Sequence, residues 1–115
     1  MRALNFYSSV YHAILVSRDK RCTIRLGDKT DKYREGDLVW VTYGDRFRKR
    51  KKLYTAVLDR VQVKKVRELT ETDLRGENPD MKTPEDAVDL LKKIYDRDVT
   101  MDDTVTVVYF SEVGD

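Results

Sequence analysis

The chain has little of what most protein chemistry is built from. Of its 115 residues one is cysteine and one is histidine, so no intrachain disulfide can form and no set of imidazoles and thiolates can hold zinc. Its carboxylates are scattered without ligand spacing, which predicts no metal site and no cofactor. With five glycines and two prolines, it holds no glycine-rich phosphate loop, no nucleophile elbow and no flexible linker. No apolar run approaches the roughly 20 residues of a membrane span. Met1 to Tyr7 begins like a strand, not like a charged leader followed by an apolar core. Net charge is also scarce: 23 lysines and arginines face 21 acids, leaving +2. Any affinity for nucleic acid must therefore come from local patches. These absences predict a soluble, unprocessed, cytoplasmic protein, with the lone Cys22 as a small buried thiol.

What is present is charge and alternation. The charged fraction of 38% stands well above the roughly 25% of ordinary soluble proteins. With few amides, thiols and thioethers, that balance is typical of heat-adapted sequences rich in ion pairs. The length suits one core, hence a single domain over residues 1–115.

Leu4 to Tyr7 reads as a short strand. Ser8 or Ser9 is placed to cap a helix that turns Val10, Tyr11, Ala13 and Ile14 inward. From Cys22 to Leu26 the alternation puts Cys22, Ile24 and Leu26 on a core face, with Thr23 and Arg25 opposite. Residues 27 to 36 are polar and turn-forming. Leu38 to Tyr43 is strand-like, and contiguous Val39, Trp40 and Val41 predict burial on both faces. A long strand runs from Leu53 to Val66. A short helix over Leu69 to Leu74 has Gly76 placed to end it. Thr83-Pro84-Glu85-Asp86 is a strong helix start, combining hydroxyl cap, first-turn proline and acids. Ala87, Val88, Leu90, Leu91, Ile94 and Tyr95 supply its apolar stripe, and Val105 to Phe110 is the last strand. Strands with segregated helices mean a small α+β domain, and long strands with few polar breaks favour a closed or nearly closed barrel.

Two clusters stand out as candidate sites. The first is Lys20-Arg21-Cys22-Thr23-Ile24-Arg25, which packs cations and a hydroxyl onto a strand entry. Period two makes Thr23 and Arg25 neighbours, whereas Lys20 must reach them from the preceding turn. The second is the run Arg46, Phe47, Arg48, Lys49, Arg50, Lys51 and Lys52, in which an aromatic among cations suits a loop that tracks phosphates and stacks on bases. A solvated hairpin tip would have the same composition. The lone His12 lies on the first helix, where surface histidines are commonplace.

Lys20, Thr23 and Arg25 match the last three fixed positions of a segment written Gly, any residue, Lys, two residues, Thr, one residue, Arg. Arg18 occupies the glycine position. Together with Tyr33, Gly36, Asp37 and Val39, this segment resembles the ASCH family of the PUA-like superfamily, over Leu4 to Phe110. The resemblance implies a PUA-like small mixed β-barrel with two to three flanking helices, and RNA or a nucleotide-like small molecule as partner. Its cleft would be lined by Lys20, Thr23, Arg25 and Glu77, with Arg18, Arg21 and Arg25 as ligand-binding cations. Some family members are metal-independent amidohydrolases of 4-acetylcytidine that use a lysine, a threonine and a glutamate. The segment Leu69 to Asn78 is similar to theirs, so the resemblance would make Lys20 the base, Thr23 the nucleophile and Glu77 the acid.

Three readings remain open at this stage. The chain is an RNA or nucleotide binder, an amidohydrolase, or an interaction module with an exposed apolar surface around Trp40 or Tyr54. Within the first cluster, a Lys20–Glu77 ion pair closing the barrel, with Thr23 bonded to backbone, is the purely structural alternative.

Overall fold

A computed structural model of the chain describes residues 1–7, 11–44 and 49–114. Its elements are β1 (Arg2–Phe6), α1 (His12–Val16), β2 (Cys22–Leu26), β3 (Leu38–Tyr43), β4 (Lys51–Lys65), α2 (Glu71–Glu77), α3 (Pro84–Tyr95) and β5 (Thr104–Glu112). The strands make one sheet in the order β1-β3-β4-β5-β2. The β1–β3 pair is parallel and the other pairs are antiparallel.

The fold is a small α+β arrangement whose sheet curls into a half-barrel. Strand β4 makes the curl, because at 15 residues it is long enough to pair with β3 through its first half and with β5 through its second. Irregularities between Val41 and Thr42 and between Leu58 and Arg60 bend it in the way bulges bend paired strands. Strands β1 and β2 end as the two edges of the sheet, so of the closed or nearly closed barrel expected from the sequence it is the open form that occurs, with one seam left unpaired.

Curling divides the interior in two. Leu4, Phe6, Val39, Val41, Ala56, Leu58, Val108 and Phe110 pack inside the half-barrel with Tyr11 and Leu15 of the α1 region. Cys22, Ile24, Leu26, Val105 and Val107 pack on the other face with Leu74 of α2 and Ala87 and Leu91 of α3. The β2–β5 part of the sheet is thus covered on both sides, as four consecutive buried residues, Val105 to Val108, attest. For that reason the polar face of β2 is buried too: Thr23 is 3% exposed.

Local expectations fare unevenly. The caps of α3 hold: Thr83 accepts from the Asp86 amide, and Pro84 occupies the first turn. In α1 it is Leu15 that turns inward, whereas Ala13 is exposed. The expected caps Ser8 and Ser9, and Val10, lie outside the described residues. Trp40 is 43% exposed, because the outer face of β3 carries no helix; Tyr54, on the inner face, is buried.

Gly76 does not end α2; it lies in the last turn of the helix. A Cβ at this position would stand 2.8 Å from Cys22 Sγ, so the missing side chain lets α2 lie against β2. Glu77, the next residue, reaches β2 only because of that approach. Gly76→Ala is therefore expected to cost about 1–3 kcal/mol by overpacking, although alanine is intrinsically the better helix former by about 1 kcal/mol. Denaturant unfolding of Gly76→Ala, Cys22→Ala and the double variant checks this. The double variant should be less destabilised than the sum of the singles, since removing the sulfur removes the clash; strict additivity would contradict the contact.

Candidate functional site

The seam between the two edge strands is where polar chemistry gathers. Arg25 of β2 bridges it: Nη2 donates to the Asn5 carbonyl of β1 at 3.0 Å, and Nε donates to Thr23 Oγ1 at 3.0 Å. Its guanidinium stacks 5.0 Å over the Phe6 ring. Asn5 is fixed in turn, accepting from Thr42 Oγ1 and donating to the Gly44 carbonyl.

An edge strand leaves a row of unpaired backbone groups, and β2 caps its own with side chains from the helices. The Ile24 amide donates to Glu77 Oε2 at 2.7 Å, and the Leu26 amide donates to the Tyr95 hydroxyl at 3.2 Å. These caps satisfy the free edge of β2, the side opposite its pairing with β5. A cleft of about 240 Å³ opens beside it, with Thr23 and Arg25 as polar floor, Phe6, Tyr11, Tyr33 and Tyr95 as aromatic walls, and Lys29 and Lys32 among its lining.

Lys20 and Glu77 meet behind this cleft. The Lys20 amine donates to the Glu77 carbonyl at 2.6 Å and lies 2.8 Å from Oε1 of the same residue, with side-chain exposures of 0% and 1%. It also sits 4.3 Å from the centre of the Tyr11 ring and 5.3 Å from that of Phe6. Burial pushes the proton affinity of Lys20 below that of an ordinary lysine, against the pull of Glu77. Burial likewise pushes the Tyr11 phenol up, helped by the Glu77 carboxylate. The pair thus combines a charge contact at Oε1 with a directed bond to the Glu77 carbonyl, against the cost of burying both groups.

The residues singled out from sequence therefore separate. Thr23 and Arg25 are adjacent and line the cleft; Lys20 and Glu77 are adjacent and lie behind it. The hydroxyl of Thr23 accepts from the Arg25 side chain, which differs from the backbone bond of the structural alternative. Arg18 stands elsewhere. It adopts a left-handed backbone, φ 68°, which explains the glycine at this position of the resembling motif and costs a non-glycine residue about 1–2 kcal/mol. Its side chain offsets that cost. It forks onto Glu112 at 3.0 and 3.1 Å, donates to the Val16 carbonyl at 2.8 Å and stacks 4.0 Å over Tyr54. Arg21 is exposed, and both arginines border a second groove outside the cleft.

Of the basic run, Arg46, Phe47 and Arg48 lie outside the described residues. Lys49 and Arg50 are exposed, and Lys51 and Lys52 open β4. The Lys52 amine lies 5.9 Å over the exposed Trp40 ring. Sequence reasoning missed the aromatic walls and the lining lysines. Tyr33 carried the one available signal: a large aromatic in a polar turn, 4% exposed once folded.

Among the described residues no cluster of histidine, cysteine and carboxylate could hold a metal ion, and no helix is long and apolar enough to cross a membrane. No family model and no curated protein matches the chain. Solved structures do. The crystal structure of an ASCH domain from Lactobacillus crispatus JV V101 matches at a TM-score of 0.71 and 15% identity, covering 96% of this chain and 78% of that one. A DUF984 protein from Enterococcus faecalis V583 matches at a TM-score of 0.68 and 15% identity, covering 98% and 80%. The chain thus has an ASCH-like fold.

Proposed function

We propose that the chain is an RNA- or nucleotide-binding domain that receives a base in the cleft between β1 and β2, with the basic hairpin aiding through contacts to phosphates. The observation that supports this most is the cleft itself. Aromatic walls over a floor holding one hydroxyl and one guanidinium suit a flat heterocycle with polar edges, since stacking supplies affinity and a few polar groups supply orientation. The ASCH-like fold adds support. Lys20 and Glu77 then serve as the charged backing that fixes Tyr11 and β2, so that the walls are formed before the ligand arrives.

The test is calorimetric titration of cytidine and of a short single-stranded RNA into the protein and into Arg25→Met. Loss of one charged hydrogen-bonding partner at the floor should weaken both by about tenfold or more. Unchanged affinity for both would remove the cleft from the account.

A second reading, hydrolysis of an acylated cytidine such as 4-acetylcytidine, is favoured by one observation: Lys20 is driven towards its neutral, basic form beside a carboxylate. That reading requires the Lys20–Glu77 pair to turn forward into the cleft; the Thr23 oxygen then attacks the acetyl carbonyl while its proton passes to the Lys20 amine. Glu77 delivers a proton to the departing exocyclic nitrogen, and water then cleaves the acetyl ester to release acetate. Because the base must be neutral, kcat/KM should rise with pH through a value below that of an ordinary lysine. Product chromatography should show cytidine with the wild type and none with Thr23→Ala. Turnover that survives Thr23→Ala would refute the nucleophile, and no turnover by the wild type would remove this reading.

A further inference from the structure

The ionisable composition of the cleft is one-sided in a chain that is nearly neutral. The whole sequence holds 23 cations against 21 acids, yet the lysine, arginine and acid side chains that line the cleft are Arg25, Lys29 and Lys32, with no carboxylate among them. Low-dielectric walls focus the field of such a set into the opening.

The loop after β2 places the two lysines. Gly27 takes φ 90°, a left-handed turn that glycine adopts without strain. The Lys29 amide donates to Thr106 Oγ1 at 2.9 Å, and that hydroxyl donates to the Gly27 carbonyl at 2.7 Å. The Lys29 carbonyl then accepts from the amides of both Lys32 and Tyr33 at 3.0 Å. One turn is thus tied to β5, with Lys29 and Lys32 three residues apart on it, and the buried Tyr33 continues it into the aromatic wall. Asp28, in the same loop, is committed to the amide and hydroxyl of Thr30. Lys32 also borders a neighbouring surface groove with Arg2, which puts it at the rim of the cleft.

We infer that Lys29 and Lys32 form a phosphate subsite at the mouth of the cleft, so that the cleft takes a phosphorylated nucleotide in preference to a neutral nucleoside. The inference rests on the base-binding reading of the cleft and adds to it the class of ligand. Base and phosphate would be held by different parts: the aromatic walls and Arg25 within, the two ammonium groups at the rim. The phosphate could be the terminal group of a free nucleotide or an internal linkage of an RNA strand.

Calorimetric titration of cytidine, cytidine 5′-monophosphate and a single-stranded decaribonucleotide into the wild type and into Lys29→Gln/Lys32→Gln separates these cases. In the wild type the monophosphate should bind about tenfold or more tightly than cytidine, the worth of charge-assisted hydrogen bonding to a phosphate. In the double variant that advantage should vanish while cytidine binds as before. The exposed pair Lys92 and Lys93 of α3 serves as a charge-matched control, and Lys92→Gln/Lys93→Gln should keep the advantage. A loss confined to the oligonucleotide would assign the subsite to an internal RNA phosphate. If cytidine binds and neither phosphorylated probe gains over it in the wild type, or the gain survives Lys29→Gln/Lys32→Gln, the subsite is refuted and the cleft stands. If none of the three probes binds, the base-binding reading fails and the subsite falls with it.

Discussion

Replacing Lys20 by methionine is expected to destabilise the fold by about 3–5 kcal/mol, because it leaves the Glu77 carboxylate buried beside an apolar chain with no counter-charge. The cost should not come from lost packing, since methionine fills much of the volume of the lysine stem. The double variant Lys20→Met/Glu77→Gln should recover most of the loss. Its amide oxygen can still accept from the Ile24 amide and cap the β2 edge, and the remaining pair carries no charge. Denaturant unfolding of the two singles and the double makes this a thermodynamic cycle. Equal and additive losses would mean that the two side chains act independently.

The same residue gives a dependence on pH. Lys20 gives up its proton in the native state below the value it has in the unfolded chain, so between those two values the unfolded state binds more protons. Stability from this group therefore rises with pH across that window. Cys22 acts in the opposite sense, since burial raises its thiol from 9.0 to about 12 and the unfolded state loses the proton first. Comparing wild type with Lys20→Met removes the burial part of the Cys22 contribution, and loss of the nearby amine only raises the thiol further in the variant, so the difference between the two stability profiles should grow in favour of the wild type as pH rises towards that of an ordinary lysine. A flat difference would show that burial does not outweigh the ion pair.

Neutralising Lys49, Arg50, Lys51 and Lys52 together is expected to have the largest effect on RNA. Four phosphate contacts on a single strand correspond to a change of about 3 in the slope of log K against log salt. The variant should thus lose affinity steeply at low salt and lose its advantage less at high salt, across sequences. The loss should be smaller for a mononucleotide than for an oligonucleotide, because the hairpin meets phosphates beyond the one nearest the cleft. Filter binding at several salt concentrations measures the slope. An unchanged slope would remove the hairpin from the interface and leave it as a solvated tip.

Local signals determine the parts of the fold that local physics governs. The cap at Thr83 and the proline after it placed α3, and the alternation of Cys22 to Leu26 placed β2 and made Thr23 and Arg25 neighbours. The misses trace to tertiary context. Trp40 was expected inside because apolar residues flank it, but the outer face of β3 is left without a covering helix. Gly76 read as a stop signal because its contact with Cys22, 54 positions away in sequence, is not written in either residue's neighbourhood. Closure of the barrel depends on whether β1 and β2 pair, which no strand encodes alone. The cleft follows from that missing pairing. Its aromatic walls come from β1, the α1 region, the loop after β2 and α3, so they were dispersed over the chain. Lys20 stands out in the charged strand entry and Glu77 follows from the family resemblance, and their mutual approach depends on the helix packing that Gly76 allows.

The most direct measurement of the central claim is an amide NMR titration of the labelled protein with cytidine 5′-monophosphate. The account predicts that the largest shifts fall on Thr23 to Tyr33, on Asn5 to Tyr7 and around Tyr95, the segments that surround the seam between β1 and β2. Shifts confined to Lys49 to Lys52 and the neighbourhood of Trp40, with the seam unmoved at saturation, would contradict it.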